Sequence, residues 1–157
     1  MKMRLVAVAA LIALLGGQVW AAETATISVT VALEETISVS LDSDTWDIGA
    51  IALSGSNGPE TFTAANDGNV AIDLDVKGTN GAGGWTLAVA AGADAFRVAV
   101  TDPAINLTTV DQVLATNLAK GGNKAVAMTY HAPTSDTKGG GVDQSFSVTV
   151  SASKYVP

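Results

Sequence analysis

Apolar and polar residues alternate along one long stretch near the N-terminus, ATISVTVALEETISVSL (residues 25–41). The odd positions are apolar throughout, except for Glu35. Such a period of two is typical of a β-strand with one buried face. As one strand the run would span about 55 Å, whereas a domain of this length is roughly 35 to 40 Å across. The run must therefore bend inside its domain or extend beyond it.

The same alternation recurs along the rest of the chain, between turn-forming clusters of Gly, Asn and Asp. The residues predicted to share buried faces are Val70, Ile72, Leu74 and Val76; Trp85, Leu87 and Val89; Phe96, Val98 and Val100; Val126, Met128 and Tyr130; and Phe146, Val148 and Val150. Several short strands in one chain of this size predict an all-β fold, an immunoglobulin-like antiparallel β-sandwich, with a jelly-roll-like variant as the alternative. Only residues 110–120 have near-helical spacing, which fits one short helix or an edge strand with a loop.

The first residues have the pattern of a secretory signal peptide. Lys2 and Arg4 precede an apolar core and small residues, and we expect cleavage after Ala21, or after Ala22 as the near alternative. The predicted organisation is a signal peptide at 1–21, an N-terminal strand at 22–33 and one β-sandwich domain at 34–157. We expect a secreted protein, extracellular, at the cell surface or periplasmic, with no membrane span after processing.

Composition narrows the possible partners. The chain has 8 basic and 15 acidic residues, and removal of the leader with its two basic residues leaves 6 − 15 = −9. Such a surface repels nucleic acid and anionic lipid. There is no cysteine, so stability must come from core burial or from association with other chains.

Residues for catalysis or metal binding are sparse. His131 is the single histidine, too few for an ordinary zinc site or a catalytic constellation, so we expect no enzyme activity and no cofactor. Asp42, Asp44 and Asp47 begin like a calcium loop but lack its later glycine and glutamate, which favours a solvated turn over a Ca²⁺ site.

Other candidate sites have structural alternatives. Trp85 is expected in the core. Trp46 is expected either in the core or as a surface platform for a ligand. Asn106 begins a glycosylation sequon, Asn106-Leu107-Thr108.

The long run permits two interpretations. A tight hairpin at Glu34-Glu35 is disfavoured, because the favoured hairpin turns require φ > 0. Either the chain kinks there and the first strand passes between sheets of its own domain, or the N-terminal part extends and completes the sheet of a neighbouring copy. In the second case the apolar residues of the assembly strand are Ile27, Val29, Val31 and Leu33.

Several of these features together resemble a family of secreted fibre-forming subunits. They are the leader, the absence of cysteine, the alternating N-terminal strand, the stretch NDGNVAIDLDV (66–76) and the motif Trp46-Asp47-Ile48-Gly49. Together they resemble subunits of the TasA and camelysin type and archaeal bundling-pilus subunits. The resemblance implies that the mature N-terminus acts as a donor strand for the next subunit. The metalloprotease activity suggested by the camelysin name is not carried over, because the chain has no H-E-x-x-H motif.

The sequence therefore predicts a secreted structural protein. We expect it to polymerise with itself, head-to-tail, into an extracellular filament, pilus or matrix. The alternative is a monomeric secreted binding module, such as an adhesin or a glycan-binding domain.

Overall fold

The structure is a computed structural model that describes residues 26–138 and 143–157. The predicted signal peptide and both candidate cleavage positions, Ala21 and Ala22, lie outside the described residues. The chain divides between Leu33 and Glu34 into two compact units, Met1–Leu33 and Glu34–Pro157. The second unit contains every strand of the described residues.

Nine strands form this unit. They are β1 (Val39–Leu41), β2 (Ser56–Asn66), β3 (Ile72–Gly78), β4 (Thr86–Leu87), β5 (Ala95–Val100), β6 (Ile105–Asn106), β7 (Gln112–Leu118), β8 (Asn123–His131) and β9 (Val148–Lys154). Six of them make one sheet in the order β1-β2-β8-β5-β4, with β6 also paired to β5. The other sheet has three strands, in the order β7-β3-β9.

These two packed sheets confirm the predicted all-β sandwich. The pairing is antiparallel except between β4 and β5, which are parallel. The described residues contain no helix. For residues 110–120 the structure has an edge strand, β7, so the edge-strand alternative is correct for this segment.

The core lies between the two sheets. Alternation along β3 buries Ile72, Leu74 and Val76 completely. They face apolar residues of the larger sheet, among which the rings of Phe96 and Tyr130 stack with centroids 5.7 Å apart. Burial of such side chains is the main stabilising contribution to a fold of this kind.

One expectation about buried faces needs correction. Val89 is 59% exposed, because β4 ends at Leu87 and the chain leaves the sheet there. Val148 and Val150 lie on the predicted face and pack against the core. They are partly buried, because β9 is the last strand of its sheet and has a partner strand on one side only.

Candidate functional site

The four apolar residues predicted for the assembly strand are exposed. Ile27, Val29, Val31 and Leu33 have exposed fractions of 86%, 77%, 75% and 86%. Residues 26–38 belong to no strand. Residues 26–33 also contain no charged side chain. The segment therefore has the sequence of a strand, but no strand partner within the described residues.

The residues that follow this segment are hydrogen-bonded to β2. β1 pairs antiparallel with β2, with Val39 opposite Asn66 and Leu41 opposite Ala64. Beyond the assigned strand the same register continues, because the amide of Asp67 donates to the carbonyl of Ser38 (3.1 Å). The ladder therefore extends from the β2 strand into the turn that follows it.

The turn 66–69 forms hydrogen bonds with residues 34–36, which precede β1. The Asn69 side chain accepts a hydrogen bond from the amide of Thr36 (2.7 Å) and donates one to the carbonyl of Glu34 (2.8 Å). The Asn69 amide donates to the carbonyl of Thr36 (3.0 Å). A side chain at Gly68 would clash with that same Thr36 carbonyl, so only glycine fits this close approach.

Asn66 organises the turn from inside the protein. It is 1% exposed, and its Nδ2 donates to the carbonyls of Val70 (2.8 Å) and Leu118 (3.0 Å). Its Oδ1 accepts a hydrogen bond from the amide of Gly68 (3.0 Å). Both polar atoms of this buried side chain are therefore hydrogen-bonded, as buried polar groups in folded proteins usually are.

An ion pair lies at the same end of the domain. Lys154 Nζ, at the end of β9, is 2.7 Å from Glu35 Oε2. Both side chains are about half exposed (46% and 52%), so the pair contributes little to stability. It does place Glu35 beside the last residue of β9.

A groove opens between the edges of the two sheets. Its volume is about 470 Å³. Its lining includes apolar side chains from both sheets, from the loop after β1 and from the segment before β9. They are Leu41, Trp46, Ile48, Phe62, Val126, Met128, Phe146, Val148 and Val150. Asp44 and Asp143 also line it, which gives the groove acidic groups but no basic one among its described lining residues.

Trp46 is a half-buried wall of this groove. Its ring packs edge-on against Phe62, with centroids 6.1 Å apart. It is therefore neither a fully buried core residue nor a free surface platform. Trp85 is also partly buried and packs against the core, and its Nε1 donates to Asp136 (3.1 Å).

The three aspartates that begin like a calcium loop in the sequence lie in different surroundings. Asp42 accepts a hydrogen bond from the Thr63 amide (2.8 Å), and hydrogen bonds from Thr63 lower the pKa of Asp42. Asp47 accepts one from the amide of Gly49 (2.9 Å). Within the described ranges no group of three or more acidic, histidine or cysteine side chains is placed to hold a metal ion. Asp42 and Asp47 each accept a hydrogen bond from the backbone, and Asp44 lines the groove.

His131 ends β8, where its Nε2 lies 2.6 Å from Nη2 of Arg97. Burial, and secondarily the Arg97 charge, lower the pKa of His131. Burial alone raises the pKa of Tyr130 to about 12. Asn106, the sequon residue, lies in β6 and is partly buried.

Sequence analysis located the exposed segment but missed the groove and the anchoring function of the turn. The pattern Asn66-Asp67-Gly68-Asn69 was available as a turn signal, yet only the fold brings Glu34 and Thr36 to it. Among the residues that the structure describes, no helix is long and apolar enough to cross a membrane. No family model, curated protein or solved structure matches this chain.

Proposed function

We propose that this protein is a secreted structural subunit. Its copies assemble head-to-tail into an extracellular filament, pilus or matrix, by β-strand donation from residues 22–33. One observation carries the proposal: four alternating apolar side chains, each at least 75% exposed, in a segment with no strand partner among the described residues. Scattered exposed apolar residues are ordinary, but an unpaired strand with an apolar face is an aggregation hazard until it is paired.

The energetics favour a partner with both an apolar surface and a strand edge for this segment. Burial of four such side chains contributes about 6 to 12 kcal/mol gross. Ordering eight backbone residues costs about 8 to 16 kcal/mol. Seven or eight ladder hydrogen bonds add about 4 to 12 kcal/mol. Because the middle of the range for burial lies below the middle of the range for ordering, a strand edge that supplies hydrogen bonds is a better partner than a flat apolar surface.

Strand donation favours a polymer over a closed dimer. The donated segment and the surface that accepts it are different parts of the chain, so each copy donates at one place and accepts at another. Such a heterologous contact propagates unless its rotation closes a ring. The hydrogen bonds between Asn69 and residues Glu34 and Thr36 support this proposal, because they fix the residues that follow the segment to their own domain.

The experiment compares the mature chain, from Ala22, with a chain that begins at Glu34. Light scattering and negative-stain microscopy measure assembly, and circular dichroism measures folding. We expect concentration-dependent oligomers or filaments from the mature chain and a folded monomer from the shorter one. A mature chain that remains a monomer at all concentrations would contradict the proposal.

Two double variants of equal charge provide a matched control. Val29→Asp with Val31→Asp places two carboxylates on the apolar face of the segment. Ser28→Asp with Thr30→Asp places them on the opposite face. We expect assembly to be lost in the first and largely retained in the second. Equal loss in both would indicate an effect of net charge and not of strand pairing.

A monomeric binding module is the second candidate, and the groove beside Trp46 favours it. Its volume of about 470 Å³ lies within the range of small-ligand sites. An aromatic ring beside Asp44 and Asp143 has the chemistry for a sugar or a cation. Quenching of tryptophan fluorescence by a soluble sugar, in a chain that stays monomeric, would support this candidate.

A further inference from the structure

The outer edge of β9 is regular and has no strand partner within the described residues. β9 pairs with β3 without a register shift from Val148 opposite Gly78 to Lys154 opposite Ile72. The ladder continues past both ends, because Thr79 donates to the carbonyl of Ser147 and Tyr155 donates to the carbonyl of Ala71. In an antiparallel ladder, the backbone N–H and C=O groups of successive residues point alternately to the two sides of the strand. The odd residues of β9 therefore bond to β3, and the backbone groups of residues 148, 150, 152 and 154 point to the open side.

The opposite edge of the same sheet is a poor template for another strand. β7 pairs with β3 through two register irregularities, and Asn117 in this strand has a positive φ of 54°. Bulges and irregular backbone are the devices that make edge strands unsuitable for further pairing. The structure thus distinguishes the two edges of the three-stranded sheet, with β9 the flat one.

The groove lies beside the flat edge. β9 faces β1, the edge strand of the larger sheet, and the groove opens between them, with side chains of β2 and β8 at its base. Phe62 and Met128 of the larger sheet and Val148 and Val150 of β9 line the resulting groove. A fourth strand added to β9 would lie over this groove.

We propose that the open edge of β9 and the adjoining groove accept residues 26–33 of a second copy of this chain. This inference rests on the proposed function and names the acceptor surface. Residues 27–33 match the seven residues of β9 in length. Their odd-numbered apolar side chains would fill the groove, and their even-numbered residues would face solvent. Because the segment has no charge, it is not repelled by Asp44 and Asp143 at the groove.

The geometry favours a second copy over the chain's own segment. Residues 36–42 run in one extended ladder along β2, and they enter the domain at the end where Lys154 terminates β9. To reach β9, the chain's own residues 26–33 would have to reverse direction at Glu34-Glu35. They would then run parallel to β9, in the less stable arrangement. A segment from another copy has no such constraint.

The absence of cysteine allows a direct test by disulfide formation in the mature chain. Thr30→Cys is combined in one chain with Thr149→Cys, Ser151→Cys or Ser153→Cys, three exposed positions on β9. Neighbouring strands bring Cα atoms to about 4.5 to 5.5 Å, which is within disulfide range. Thr30→Cys with Thr116→Cys, an exposed position on β7, is the matched control.

Mild oxidation followed by non-reducing electrophoresis gives the result. We expect a covalent ladder of multimers from at least one β9 pair, about tenfold stronger than from the β7 control. An internally linked monomer would overturn the inference in favour of pairing within one chain. Filaments that give no covalent multimers with any β9 pair, or that give equal amounts with the β7 pair, would overturn the acceptor assignment. The proposed function would remain intact. A parent chain that never assembles would overturn both.

Discussion

Replacement of Asn66 by alanine is expected to destabilise the domain by about 3 kcal/mol. The side chain is 1% exposed and makes three hydrogen bonds, two to carbonyls and one from an amide. Each such bond contributes about 0.5 to 1.5 kcal/mol net, and buried partners left without a bond increase the loss. Water cannot easily replace the side chain, because the site lies under the turn that joins β2 to β3.

Urea unfolding followed by the fluorescence of Trp46 and Trp85 measures this loss. A change of this size moves the midpoint by about 1 to 3 M urea. Asn57→Ala is the matched control, because Asn57 lies on the same strand, is half-buried, and donates one side-chain hydrogen bond, to the carbonyl of Ile48 at 3.3 Å. We expect it to cost about 1 kcal/mol or less. Equal midpoints for the two variants would refute the reasoning.

The isosteric change Asn66→Asp tests the same geometry through its pH dependence. The new carboxylate would face the carbonyls of Val70 and Leu118, to which the amide nitrogen now donates. Both oxygens repel the charged form, so the folded state favours the protonated form. We therefore expect this variant, relative to wild type, to gain stability as the pH falls from about 7 to 4. A variant that differs from wild type equally at both pH values would contradict this expectation.

Two further predictions concern titration of native residues. Hydrogen bonds from Thr137 lower the pKa of Asp94 below 3.8, so this carboxylate stabilises the fold above that pKa and the benefit is lost on acidification. The urea midpoints of wild type and Asp94→Ala should differ at about pH 7 and converge near pH 2. Burial and the Arg97 charge lower the pKa of His131 below 6.5, so the unfolded state binds the proton more readily. Wild type should therefore lose more stability than His131→Gln between about pH 7.5 and 5, and parallel profiles would disprove this.

Local sequence signals were sufficient for the class of fold and for several turns. Side chains alternate across a strand wherever that strand lies, so a period of two predicted β-structure without knowledge of any partner. The same alternation identified the face that β3 buries through Ile72, Leu74 and Val76. The stretch Asn66-Asp67-Gly68-Asn69 was correctly placed between two strands.

Spacing alone did not decide between a short helix and an edge strand for residues 110–120. Residues 110–120 have apolar residues at near-helical spacing, yet this segment forms β7 on the edge of β3. In that strand Leu114 is buried, whereas Val113 is 59% exposed. The ladder with β3 overrides the local periodicity, since tertiary pairing outweighs the weak intrinsic preference of a short segment.

The sequence by itself determined the all-β class and the alternating faces, because these depend on the order of neighbouring residues. Only the tertiary structure decided that one sheet has six strands and the other three. It also decided that β9 has a regular open edge and that Trp46 lies in the groove beside it. These features depend on which distant segments pair, and a strand's alternation is the same at the centre of a sheet and at its edge.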